Sequence, residues 1–150
     1  MVPYGSTNQA EWRAVAEIPA VLTRFFSAWS ERNPALVISE VTGDVHITDP
    51  LNSIVGSDAL VEHIETVLRR FEFLPAQIQR VVVEGDLDGT STLAFVVRCP
   101  MLGRSSRFVG LETAFEAAVF ATLDGGRIAT WQEYWDPAPL QRAIVSALGG

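Results

Sequence analysis

The sequence predicts an α+β fold in which a strongly curved, mostly antiparallel sheet wraps around N-terminal helices and a further helix ends the chain. Three observations predict it. Helical spacing of apolar residues dominates the first half and returns only at the C-terminal end, with strand-like alternation between, an order that favours α+β over α/β architecture. Glycine-rich turns, Gly85-Asp-Leu-Asp-Gly89 and Asp124-Gly-Gly126, separate the later strand-like runs as hairpins require. The stretch from Val45 to Ile64 reads as a short strand, a turn and the start of a helix, and the rest of the chain is organised around it.

Taken in order, Met1 to Asn8 is polar and expected to be loose. Ala10 to Glu17 reads as helical, and Pro19 breaks or restarts that helix. Val21, Leu22, Phe25, Phe26 and Trp29 then make a wide apolar face, so Pro19 to Glu31 is expected to close one side of a cone-shaped pocket. Asn33 as N-cap and Pro34 at the first helical position predict a short helix to about Glu40. Val45 to Asp49 alternates as a half-buried strand, and Pro50 stops it because it has no N–H to give a ladder. Ser57 suits an N-cap, Asp58 the first turn, and Ala59, Leu60, Ile64, Val67 and Leu68 a helical stripe. Strands are expected over Ala76 to Glu84, Thr90 to Met101, Phe108 to Leu123 with a bulge near Gly110, and Arg127 to Asp136. Gly103 marks a turn, and Pro137 to Leu148 a terminal helix packed on the body.

The chain's 150 residues suit one domain, 1–150, with room for a substantial core, and a hydrophobic content of 48% excludes disorder. No apolar run reaches bilayer-spanning length and no signal-peptide pattern opens the chain, so a cytoplasmic location without a membrane partner is expected. The lone Cys99 excludes an internal disulfide and fits a reducing compartment. With net charge −7 and no basic cluster beyond Arg69-Arg70, nucleic acid is not an expected partner.

Strand alternation sorts the candidate site residues. Ala94, Val96, Arg98 and Pro100 share one face; so do Glu112, Ala114, Glu116, Ala118 and Phe120; so do Trp131, Glu133 and Trp135. Asp49, at a strand end before a rigid turn, is placed as a general base would be, or else as a turn residue accepting backbone N–H groups. Arg98 and Glu133 read either as a catalytic pair or as a buried structural one. Cys99, out of phase with Arg98, reads as an inert buried thiol, and His63 as a residue on the solvated side of its helix.

Asp49-Pro50, a short loop, Gly56-Ser-Asp-Ala59 and a helix resemble the segment that carries the general base in ketosteroid isomerases. The stretch Asp124-Gly-Gly-Arg-Ile-Ala-Thr-Trp-Gln-Glu-Tyr-Trp-Asp136-Pro137 resembles the C-terminal hairpin and strand of SnoaL-like polyketide cyclases and limonene-epoxide hydrolases. The order of elements matches over nearly the whole chain, which is thus similar to the NTF2-like superfamily. That resemblance implies a cone-shaped fold, an apolar ligand pocket, no cofactor and no metal. From the epoxide hydrolases' Asp-Arg-Asp trio it implies Arg98 and Glu133 as catalytic groups, with Pro100 where one acid is expected and Glu116 as its replacement if it faces inward. His46 and Thr48 stand near the water-holding residues of that family. Phe25 and Ala118 stand near the isomerases' oxyanion hole.

Asp49, Arg98, Glu133 and Glu116 are therefore the expected catalytic residues, and His46, Phe25, Trp29, Ala118, Trp131 and Trp135 the expected substrate contacts. The expected activity is acid–base catalysis on a small apolar metabolite, polyketide- or terpenoid-like, by isomerisation, cyclisation or epoxide opening. The alternative is a non-catalytic binding or protein-interaction module. A homodimer is expected through the face carrying Leu93, Phe95 and Val97, taken as the sheet's outer surface.

Overall fold

Proline punctuation and apolar spacing set the helices of the computed structural model, which describes residues 11–105 and 108–149. Helix α1 (Ala20–Ser30) starts directly after Pro19 and buries Val21, Leu22, Phe25 and Ala28 along one stripe. Helix α2 (Pro34–Ser39) is capped by Asn33, whose side-chain oxygen accepts the Leu36 N–H at 3.2 Å. Helix α3 (Ser57–Arg70) buries Leu60, Ile64 and Leu68. Its cap position falls on Gly56, at φ 90°, rather than on Ser57. At its other end the Arg32 guanidinium donates to the carbonyls of Leu68 and Phe71, which satisfies the last turn. Helix α4 (Ala138–Ala147) opens with the Ala138 N–H donating to Asp136 Oδ1 at 3.0 Å.

The strands are β1 (Arg13–Ala14), β2 (Val41–Thr48), β3 (Ser53–Val55), β4 (Phe71–Phe73), β5 (Gln77–Gly85), β6 (Ser91–Gly103), β7 (Glu112–Asp124) and β8 (Arg127–Tyr134). They form one sheet in the order β1-β5-β6-β7-β8-β2-β3, with β4 paired to β6. Every pairing is antiparallel except β2 with β8, which is parallel. The result is an α+β architecture with a large, curved, unclosed sheet.

Three local expectations need correction. Ala10 to Glu17 does not form a helix where it is described. Arg13 and Ala14 pair with Val83 and Val82, and the Val15 N–H donates to the Val81 carbonyl at 3.2 Å. A segment this short nucleates a helix poorly, and the free edge of β5 offers backbone partners instead. The third long strand begins at Glu112, because Phe108 to Gly110 is a turn closed by the Val109 N–H on the Ser105 carbonyl at 2.8 Å; Gly110 serves that turn and not a bulge. The last strand ends at Tyr134. The segment Met1 to Asn8 lies outside the described residues.

The concave face of the sheet is the core face. Leu93, Phe95, Val97, Cys99 and Met101 of β6 are buried on it, as are Ala117, Val119 and Ala121 of β7. Phe26 of α1 meets Phe95 edge-on, with ring centroids 6.3 Å apart. The expected dimer surface is thereby overturned: Leu93, Phe95 and Val97 are 0%, 3% and 1% exposed within the chain itself. The convex face instead shows Val96, Phe120 and Tyr134. No helix among the described residues is long and apolar enough to cross a membrane.

Candidate functional site

The parallel pairing of β2 with β8 creates the polar part of the site. Ile47 lies beside Trp131 and Thr48 beside Gln132, so the next position on each chain brings Asp49 alongside Glu133. Strand alternation turns Ile47 and Asp49, and Trp131 and Glu133, to the same concave side, and all four line a cavity of about 370 Å³. This size lies within the range of small-molecule sites. Aromatic rings from α1, β4, β7 and β8 line the wall, together with Leu140 and Ile144 of α4.

Asp49 is held by the turn that Pro50 enforces. Its Oδ1 accepts the N–H groups of Leu51 and Asn52 at 2.7 and 2.8 Å, and the Asn52 side-chain amide at 3.1 Å. Among the described residues its Oδ2 accepts that amide alone, also at 3.1 Å. One oxygen is thus fixed by backbone and the other is less engaged. The turn and the site readings of Asp49 are not exclusive in this geometry.

Glu133 is gripped by two indoles, one on its own strand and one just past the strand's end. Trp131 Nε1 donates to Oε1 at 2.7 Å and Trp135 Nε1 to Oε2 at 3.2 Å. Trp135 is itself stacked on Phe115 at 5.3 Å. Burial pushes the Glu133 carboxyl up from 4.5 to about 7, and the charge of Asp49 adds to that shift while the two indole N–H groups oppose it. The unfolded chain releases this proton near 4.5 and the folded chain only near 7, so the native state holds the extra proton between those values and loses stability as pH rises through them. Across that window the unfolding free energy of the native sequence is expected to fall by roughly 3 kcal/mol more than that of Glu133→Gln. Urea denaturation of both proteins at a series of pH values checks this, and parallel profiles would contradict it.

His63 is a site residue that the sequence reading placed on the solvated side of α3. It lines the cavity, and burial lowers its pKa while Asp49 raises it. The available signal was a second helical stripe, Leu60, His63, Val67 and Arg70, beside the buried one of Leu60, Ile64 and Leu68. Cys99 also lines the cavity. Burial, with a contribution from Glu133, pushes its thiol up to about 12, so it stays protonated and is a poor nucleophile.

Phe25, Trp29, Trp131 and Trp135 line the cavity, together with Asp49 and Glu133. Four other expected residues lie elsewhere. Arg98 and Glu116 are cross-strand partners on the convex face, with Arg98 Nε 3.5 Å from Glu116 Oε1 and both side chains exposed. Neither lines the cavity, and Arg98 pairs with Glu116 rather than with Glu133. Ala118 is exposed on the same convex face. His46 is exposed, with Nε2 3.2 Å from Ser53 Oγ on β3. The grouping of residues by face holds, but alternation alone leaves open which face turns inward. The uniformly apolar set Leu93, Phe95, Val97, Cys99 and Met101 takes the core side because its burial outweighs that of the mixed set containing Arg98.

A family model described as the SnoaL-like domain matches residues 22–131 of the chain. The chain belongs to the SnoaL-like domain family. No curated protein matches its sequence significantly. Solved structures similar to this SnoaL-like domain include an epoxide hydrolase of limonene-epoxide-hydrolase type from M. tuberculosis, at 16% identity and TM-score 0.66, covering 87% of this chain and 90% of the other. A ketosteroid isomerase-like protein from Erwinia carotovora atroseptica matches at 17% identity and TM-score 0.63, covering 77% of this chain and 91% of the other. A proposed polyketide cyclase from Pseudomonas putida KT2440 matches at 15% identity and TM-score 0.61, over 83% and 96%. These likenesses establish the NTF2-like fold. Within it, the inward residues of β6 in this SnoaL-like domain are Leu93, Phe95, Val97, Cys99 and Met101, which offer no Arg–acid pair.

Proposed function

We propose that this SnoaL-like domain performs cofactor-independent acid–base catalysis on a small, largely apolar carbonyl compound, with Asp49 as base and Glu133 as acid. The observation that carries the reading is Glu133 in an aromatic cavity, gripped by two indole N–H groups beside Asp49, with its pKa near neutrality. A group poised near the working pH can both donate and recover a proton. Two carboxylates in unlike surroundings can divide the acid and base roles between them. In the proposed cycle, Asp49 Oδ2 takes a proton from the carbon next to a carbonyl while Glu133 protonates the carbonyl oxygen, giving an enol. Asp49 then gives its proton to the same or a conjugated carbon while the enol O–H returns its proton to Glu133, which completes exchange or isomerisation; attack of the enol carbon on a second carbonyl, with the enol proton returning to Glu133 and the Asp49 proton passing to the new alkoxide, would give cyclisation. Epoxide opening by the Asp-Arg-Asp route is not part of this proposal, because Arg98 is on the other face.

The test is hydrogen–deuterium exchange next to the carbonyl of tetralone and related cyclic ketones in D2O, followed by NMR. The protein is expected to accelerate exchange over buffer alone. If it accelerates none of them while they still bind, the catalytic reading fails and the cavity belongs to a binding module.

A further inference from the structure

We propose that the ligand of this cavity is an anion, with its apolar body among the aromatic rings and a carboxylate or phosphate held at the mouth by Arg70 and Arg104. The proposal rests on the reading of the cavity as a small-molecule site and narrows the class of molecule it takes.

The cavity-facing stripe of α3 runs from Leu60 through His63 and Val67 to Arg70. His63, beside Asp49, is half-buried, whereas Arg70 is exposed, so the stripe leads from the acid end of the cavity out to solvent. Those two residues are seven apart on α3, which is about 10 Å along a helix axis. The Arg104 N–H donates to the Arg70 carbonyl at 2.7 Å, so the backbone of a second exposed arginine lies next to Arg70, although Arg70 alone of the two lines the cavity. Arg32 is near enough for Arg104 to disfavour its charge, after the larger effect of burial.

Glu72 is near enough to favour the charge of Arg32, but no described ion pair engages Arg70 or Arg104: those among the described residues are Arg24–Glu40 and Arg98–Glu116. Glu72 alternates away from the cavity, which Phe71 and Phe73 line. Nor is Arg70 consumed in ending α3, because Arg32 already holds the Leu68 and Phe71 carbonyls. In a chain of net charge −7, arginines without an acid partner at a cavity mouth suit an anion from elsewhere. The other end of the cavity sets the orientation. The charge of Asp49 and the buried, apolar setting of Glu133 disfavour an anion there, so the charged group stays at the rim and the apolar end reaches the two acids.

Phenylhexanoate, its primary amide and phenylpentyl phosphate separate these ideas. Binding is read from emission of Trp29, Trp131 and Trp135, all of which line the cavity. The acid is expected to bind at least about tenfold tighter than the amide, a preference that added salt erodes. Arg70→Met is expected to weaken the preference and the Arg70→Met, Arg104→Met double variant to abolish it, with acid affinity falling far more than amide affinity. Tighter binding of the phosphate than of the carboxylate would identify a phosphorylated ligand, the reverse a free acid, and either supports the proposal. Equal binding of acid and amide overturns it but leaves the cavity reading intact, as does a preference that survives in an Arg70→Met, Arg104→Met double variant. Failure of all three probes to bind overturns both.

Discussion

Asp49→Asn is expected to slow the exchange reaction by on the order of 10²-fold or more, the usual worth of a positioned base. Asparagine has nearly the shape of aspartate, and its side-chain oxygen can still accept the Leu51 and Asn52 N–H groups that hold the turn. The fold and the cavity should therefore survive, and binding of a neutral ketone should change little. A second readout separates a base from a mere turn residue. The charge of Asp49 helps to raise the pKa of Glu133, so the Glu133 titration should move to lower pH in the variant. It also raises that of His63, which should shift downward too. Carboxyl and imidazole NMR titrations record both shifts. An unchanged exchange rate, with Glu133 visibly shifted, would show that Asp49 is an electrostatic neighbour and not the base.

Trp131→Ala should be the most damaging single change to the fold. The side chain is 1% exposed and sits among Phe25, Phe95 and Phe26, with ring centroids 4.7, 5.5 and 5.7 Å away. Truncating a buried aromatic to alanine costs about 3–5 kcal/mol, which in a domain of this size lowers Tm by roughly 10 °C or more. The indole N–H that donates to Glu133 is lost as well, so the carboxyl should titrate higher than in the native protein. Trp131→Phe separates the two effects, because it keeps most of the packing and removes only the donor. Calorimetry should show a small loss for phenylalanine and a large one for alanine. Equal losses would mean that the hydrogen bond, and not the packing, anchors this corner.

The parts of the site that were legible in the sequence are those fixed by local chemistry. The Asp-Pro junction announced a carboxylate at a strand end, and the spacing of Trp131, Glu133 and Trp135 put them on one face whatever the rest of the sheet did. The apolar stripe of α1 likewise required a partner sheet. What was not legible depends on which side of a long strand meets the core. Arg98 was turned inward by its likeness to a catalytic arginine, although its neighbours one position away were uniformly apolar. The same error exported Leu93, Phe95 and Val97 to a supposed dimer surface. His63 failed for a different reason: a helix over a concave sheet buries one stripe and lends a second to the cavity, and a polar residue on that second stripe looks solvated in sequence. The strands β3 and β4, of three residues each, carry too little pattern to be read without the strands they pair with.

The seam between β2 and β8 has a further consequence. Beyond β2 in the sheet lies only the three-residue β3, so the strand that carries Asp49 is secured on one side chiefly by contact with a segment more than eighty residues later in the chain. Sheet margins of this kind open more readily than interiors. A molecule that touches Asp49 and Glu133 together is a staple across that seam, and it binds only while the seam is shut. Its binding free energy is therefore added to the closure of the sheet. Occupancy of the cavity and fraying of this edge become two readings of one equilibrium.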